Sequence, residues 1–143
     1  MSSALVALQA KVQIVGAKGT KTTLLEDFHV PPNRDVHRET ILNSNEIVME
    51  ILIPGMEEGA KSSYRKVEAR GSWDFALAGV ALVMQFRTGR VVQVRIVLTG
   101  AVPVPWRSRE MEEALTGRQL NAETIAKAAE TIMKNAQPLG KNG

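Results

Sequence analysis

Between Tyr64 and Asp74 the chain reads YRKVEARGSWD. Arg65, Lys66, Glu68 and Arg70 crowd ahead of a Gly71–Ser72 break, and Trp73 and Asp74 follow it. Clustered lysine and arginine can hold an anion, and a neighbouring carboxylate can change the local charge when such a turn moves. The plainer account is a charged strand edge that discourages pairing with other sheets, with Trp73 as a lid over the core. On the residues alone the edge account is the better of the two.

The other chemically capable residues assemble less well. His29 and His37 are the only two histidines, with Asp35 between them, and their spacing across HVPPNRDVH matches no standard metal site. Cysteine is absent, which removes disulfides, thiol catalysis and a self-ligated iron–sulfur cluster. GAKGTKTT (16–23) lacks the Gly-Lys-Ser/Thr ending of a phosphate loop and reads as a basic surface turn. Glu57–Glu58 and Glu112–Glu113 read as solvated carboxylate pairs. No Ser-His-Asp arrangement suggests itself.

The turn at 70–74 needs elements on both sides to position it. KVQIV alternates and predicts a strand, GAKG a turn, and TKTTLL a returning strand. LEDF (25–28) predicts one helical turn, HVPPNRDVHRE (29–39) a loop, and EIVMEILIP (46–54) a strand ended by Pro54. SSYRKVEA (62–69) alternates as a strand. FALAGVALVMQF (75–86) is too apolar for an exposed helix; it predicts a strand pairing with VVQVRIVLTG through a turn at Thr88-Gly89, with a buried helix as the alternative. AVPVPWR (101–107) predicts a proline-stiffened loop. Ser108 is the expected N-cap of a helix that Gly117 closes. Asn121 is the expected cap of AETIAKAAETIMKNA, with Ile125, Ala128, Ala129, Ile132 and Met133 on its buried face. QPLGKNG (137–143) predicts a loop. Strands first and helices last give an α+β class: an antiparallel sheet with C-terminal helices packed on one face.

Composition narrows the function. The chain has 143 residues, 44% hydrophobic and 23% charged, as ordinary globular domains do. A net charge of +3, scattered basic residues and 4% aromatics argue against a nucleic-acid partner, which asks for a basic patch with stacking rings. MSSALVALQAKVQIV has neither the basic start nor the long apolar core of a signal peptide, and no apolar run reaches the ~20 residues that cross a bilayer. The expected location is the cytoplasm, with no membrane partner.

Four stretches, in order and in register, carry a resemblance. ALQAKVQIVGAKGTKTTLLEDF, ETILNSNEIVMEILIP, SSYRKVEARGSWDFALAGVAL and TGAVPVPWRSREMEEALTGRQL together resemble the later half of the FAD-binding, or medium, subunit of the molybdenum hydroxylases. That family includes xanthine dehydrogenase, carbon monoxide dehydrogenase and 4-hydroxybenzoyl-CoA reductase. The resemblance covers nearly the whole chain. It implies that residues 1–55 end an FAD-binding subdomain and that residues 56–143 form a domain like the C-terminal one of the CO dehydrogenase flavoprotein. It also implies a preceding half that holds the FAD pyrophosphate, so the chain is expected to be truncated or naturally split.

Residue by residue, the resemblance assigns Lys66 to the lysine that reaches the flavin and Val48 to an aliphatic residue that packs on its ring. It places Arg70 and Asp74 at the charged positions of the mobile loop beside it. The implied partners are a molybdenum-binding large subunit and an iron–sulfur small subunit, which carry the molybdenum cofactor and the clusters. Electrons would pass from those clusters through FAD to NAD or another acceptor. The HVPPNRDVHRE loop is longer and poorer in glycine than the family's turn, so its flavin contacts, including one from Arg38, are not carried over. Two other readings stand beside this one: an interaction domain that keeps the fold without flavin, and an anion-binding module using Lys11, Lys18 and Lys21.

Overall fold

Residues 1–71, 74–100 and 102–134 are described in a computed structural model of the chain. The alternating KVQIV segment becomes β1 (Lys11–Gly16), which turns back through Gly16 and Gly19 into β2 (Gly19–Leu24). Leu25–Asp27 form the expected single turn, of 3₁₀ type. β3 (Glu46–Leu52) then pairs with the other edge of β1, giving a three-stranded antiparallel sheet in the order β2-β1-β3. One element here was not expected. SSALVA folds as α1 (Ser2–Ala7), which buries Ser3, Val6 and Ala7 on one side.

The second sheet is built from β4 (Ala60–Glu68), β5 (Ala76–Arg87), β6 (Arg90–Thr99) and β7 (Trp106–Arg107), in that spatial order and antiparallel throughout. The apolar run 75–86 is therefore strand, not buried helix. Thr88 and Gly89 close the β5–β6 hairpin with φ of 50° and 76°, the paired left-handed conformation that matches strand twist. β7 corrects the expectation of a loop over 101–107, of which Ala101 lies outside the described residues. Trp106 and Arg107 pair with Leu98 and Val97, so the proline-stiffened segment delivers a short edge strand to β6.

Cα partners in antiparallel strands share a sheet face. Ala81, Val83 and Val97 face one way and pack with Val6, Ala7, Val12, Ile14, Leu25 and Phe28 from the N-terminal elements. Met84, Val94 and Ile96 face the other way, with Val80 and Leu82, and pack with Leu115 and Ala128 from the C-terminal helices. The second sheet is thus the shared wall of two cores. The fold is α+β, and its C-terminal helices do lie on one face of the antiparallel sheet.

Those helices are α2 (Arg109–Leu115) and α3 (Ala122–Lys134). Gly117, at φ 78°, follows the end of α2 as expected. Ser108 holds the N-cap position, but its hydroxyl is buried and makes no hydrogen bond, while its N–H donates to the Ile96 carbonyl at 2.9 Å. The cap expected of its side chain is replaced by a backbone tie to β6. Asn121 caps α3 as expected: its Oδ1 accepts the Thr124 N–H at 2.8 Å, and Thr124 Oγ1 accepts the Asn121 N–H at 3.0 Å. The expected buried face of α3 is narrower than read. Ala128 is buried and Ile132 half-buried, whereas Ile125 and Ala129 are exposed, because α3 leans chiefly on α2. The Met133 side chain and the 137–143 loop lie outside the described residues.

Candidate functional site

β4 runs to Glu68 and β5 starts at Ala76, so the charged turn sits at one end of the second sheet. Lys66 and Glu68, two residues apart, leave the same face of β4. Lys66 Nζ lies 2.9 Å from Glu68 Oε1 and donates to the Asp74 carbonyl at 3.2 Å. Arg70 Nε pairs with Asp74 Oδ2 at 3.2 Å, and Asp74 Oδ1 accepts the Phe75 N–H at 2.9 Å. Asp74 therefore ties Lys66 and Arg70 to the start of β5. Lys66 stands opposite Gly79, on the sheet face that packs against α1 and β1. Phe75 and Leu77 flank the turn with exposures of 92% and 60%, an unusual display of apolar surface beside the charges.

Of the expected site residues, Lys66, Arg70 and Asp74 come together. Val48 lies apart on β3 of the first sheet, opposite Ile14 and partly exposed. Trp73, the expected lid, lies outside the described residues. Glu68 joins the cluster although it was not read as a site residue. Its i,i+2 spacing from Lys66 was the available signal.

A second charged cluster fastens β7, α2 and the first 3₁₀ turn together. Arg107 grips both oxygens of Glu112, with Nη2 to Oε2 at 2.7 Å and Nε to Oε1 at 2.8 Å. Glu112 Oε1 also accepts the Ile96 N–H at 2.9 Å. Arg107 Nη1 and Arg109 Nη2 reach Glu26 at 3.5 and 2.7 Å. Glu112 is 7% exposed, which corrects its reading as a solvated carboxylate. Hydrogen bonding to Glu112 raises the Arg107 pKa above arginine's ordinary value. Arg95, nearby and buried, donates to the Ala7 carbonyl at the end of α1; burial first, and then Arg107, lower its pKa.

The remaining candidates disperse. Asp35 accepts the His37 backbone N–H, and among the described residues no three His, Cys, Asp or Glu groups are placed to hold a metal. Lys21, half of the basic turn, is paired with Glu46 at 2.7 Å, and that bond holds the Glu46 carboxyl below its ordinary pKa. The depression formed by residues 16–21 with Asn43, Asn45 and Glu46, about 340 Å³, is therefore partly neutralised. Arg38 donates to the Leu42 carbonyl. Among the described residues no helix is long and apolar enough to cross a membrane.

The sequence and the fold both have known relatives. Residues 62–143 match the CO dehydrogenase flavoprotein C-terminal domain. The FAD-binding subunit PaoB of the Escherichia coli (strain K12) aldehyde oxidoreductase is 33% identical over 138 residues, covering 94% of this chain and 42% of that protein. The carbon monoxide dehydrogenase medium chain of Hydrogenophaga pseudoflava is 28% identical over 133 residues, 93% of this chain and 44% of that one. The solved structure of carbon monoxide dehydrogenase from that organism, in a form lacking the Mo-pyranopterin moiety of the molybdenum cofactor, aligns with a TM-score of 0.84 at 29% identity, over 97% of this chain and 47% of that chain. The chain thus spans less than half the length of these relatives. It belongs to the CO dehydrogenase flavoprotein C-terminal domain family.

Proposed function

We propose that the chain is the flavin-facing portion of the FAD-binding subunit of a molybdenum hydroxylase. Residues 1–55 would complete the FAD-binding subdomain and residues 56–143 would close over it, with a separate half holding the pyrophosphate. The observation that carries this reading is the gathering of Lys66, Arg70 and Asp74 at one sheet end, inside the segment that matches the family, with Lys66 on the face turned toward the N-terminal sheet.

The residues fit such a cofactor. A flavin gains negative charge on reduction, and Lys66 is a half-exposed cation with carbonyl and carboxylate neighbours. Glu68 Oε2 is buried and has no partner among the described residues, an acceptor suited to a donor group on a bound ring. When bound, FAD would collect electrons from iron–sulfur centres on a small subunit and deliver them to NAD or another acceptor, while substrate reacts at molybdenum on a large subunit. The chain's own part is electrostatic and steric. Lys66 would stabilise the added negative charge; a cation about 4 Å from a unit charge gains on the order of 4 kcal/mol at an effective dielectric of ~20, before desolvation is subtracted. Arg70 and Asp74 would tie the turn down and set access to the ring edge. Val48, on its exposed strand, would supply an apolar contact.

An FAD titration tests this, read by flavin fluorescence. The chain combined with the polypeptide that supplies the N-terminal half should bind FAD saturably, and the chain alone should bind far more weakly. In the complete subunit, Lys66→Ala should lower the flavin midpoint potential. Absence of FAD binding by the combined halves would overturn the proposal. That result would favour an interaction domain without flavin, a reading supported by the exposed apolar side chains Ile47, Met49 and Ile51 on β3.

A further inference from the structure

We propose that Glu68 is a positioning residue of this site: it pins Lys66 as a neutral pair and offers its second oxygen to a donor group of the bound cofactor. This rests on the flavin reading above. Glu68 Oε1 lies 2.9 Å from Lys66 Nζ, with both side chains partly covered at 22% and 35% exposure. The lysine also donates to the Asp74 carbonyl, so Glu68 and the turn hold it from two sides. Arg70 and Asp74 form their own pair, and the four charges cancel. Without Glu68 the same cluster would carry a net positive charge.

Two further observations point to a ligand. Glu68 Oε2 is removed from solvent and, among the described residues, has no hydrogen-bond partner. An unmet buried acceptor carries a desolvation cost, and native proteins keep few of them. The strand opposite this residue is also irregular. The β4–β5 register shifts between Val67 and Glu68, so that Val67 faces Ala78 while Glu68 faces Ala76, with Leu77 as the extra residue. Such bulges re-aim a side chain at the end of a ladder and gather beside functional sites. Here the shift falls between the lysine pair and the turn that leads to Asp74. A donor N–H or O–H on a cofactor ring would complete Glu68 without displacing Lys66. Negative charge gained on reduction would then meet a lysine whose position is set and whose charge is partly compensated.

The consequence is specific. Glu68→Gln keeps the size and one oxygen acceptor but removes the charge. In the complete subunit it should raise the flavin midpoint potential, opposite in sign to Lys66→Ala. The part of this effect that runs through Lys66 should be lost in a Lys66→Ala background, so the shift there should be smaller. Glu68→Asp, which retains the charge, should stay closer to wild type than Glu68→Gln. An unchanged potential in Glu68→Gln with FAD bound, or an equal shift in both backgrounds, would overturn the proposal. A flavin-independent measurement separates it from the reading on which it rests. Amine-directed labelling of the chain alone, mapped by peptide mass, should show Lys66 reacting several-fold faster in Glu68→Gln, with Lys11 and Lys18 as internal references. Equal Lys66 labelling in the two proteins would refute the pinning even if FAD binds normally. Failure of the wild-type subunit to bind FAD would refute the flavin reading, and with it Glu68's role toward a cofactor.

Discussion

Glu112 has one carboxylate and three protein donors: the Ile96 N–H and two nitrogens of Arg107. Truncating it strands a guanidinium whose side chain is only 16% exposed. Glu112→Ala should therefore cost about 3 kcal/mol, seen as a large fall in Tm, because it leaves the Ile96 N–H unmet and the part-buried Arg107 with only its 3.5 Å contact to Glu26. Glu123, in an exposed i,i+4 pair with Lys127, is the matched control; Glu123→Ala should change stability by about 0.5 kcal/mol or less. His29 makes a different prediction. Burial lowers its pKa below the ordinary 6.5, and its Nε2 is enclosed without a partner beside the edge of Phe28. The unfolded chain then binds more protons in this range, so the neutral-His contribution is full above 6.5 and declines as pH falls toward the folded pKa. Tm followed from neutral pH downward should show this decline, and His29→Phe should flatten it.

Elements differ in how much of themselves they write into the sequence. β1 to β6 were legible because alternation, Pro54 and the Thr88-Gly89 turn mark them locally. α1 was not, since six residues give too little periodicity to distinguish a helix from a strand approach. β7 was not, because a two-residue strand exists only through its partners on β6. Glu112 followed from that omission: a glutamate in a helix's first turns looks solvated until β7 brings Arg107 to it. The site was legible as a charged turn, and the family resemblance named Lys66, Arg70 and Asp74; the i,i+2 spacing put Glu68 beside Lys66, but its unmet second oxygen shows only in the fold. The β5–β6 hairpin carries a testable imperfection. Thr88 is β-branched yet sits at φ 50°, a conformation that asparagine accepts more readily. Thr88→Asn should stabilise the chain by about 0.5–1 kcal/mol, read as a higher denaturant midpoint with an unchanged m-value. Gly100 works in the opposite direction. Its φ is 85°, and an added Cβ would lie 2.7 Å from the Ala76 carbonyl oxygen. Gly100→Ala must displace the start of β5, so it should lower Tm and disturb the Lys66 turn together.

At the scale of the whole molecule, the apolar groups divide into those that are buried and those that wait for a partner. The second sheet is packed on both faces over β5 and β6, but β3 at the far edge of the first sheet is exposed along nearly its entire length. Ile47, Met49 and Ile51 are 67%, 55% and 44% exposed along it, and a register shift at Met49 puts Ile47, opposite Val15, and Ile51, opposite Val12, on different faces. An edge strand with so many exposed apolar side chains is a site for association rather than a finished surface. If the N-terminal half covers it in the complete subunit, a charge placed there should separate folding from assembly. Ile47→Glu changes a side chain that contributes little to either core, so the isolated chain should keep its Tm to within about 0.5 kcal/mol of stability. Burying that carboxylate against an apolar partner, by contrast, carries a desolvation cost, so FAD binding by the combined halves should weaken at least tenfold. Titrating FAD into wild-type and Ile47→Glu mixtures, with a parallel melt of each isolated chain, reads both quantities. An unaltered melt with weakened binding places the partner on β3, whereas unaltered binding would move the contact between the halves elsewhere on the chain.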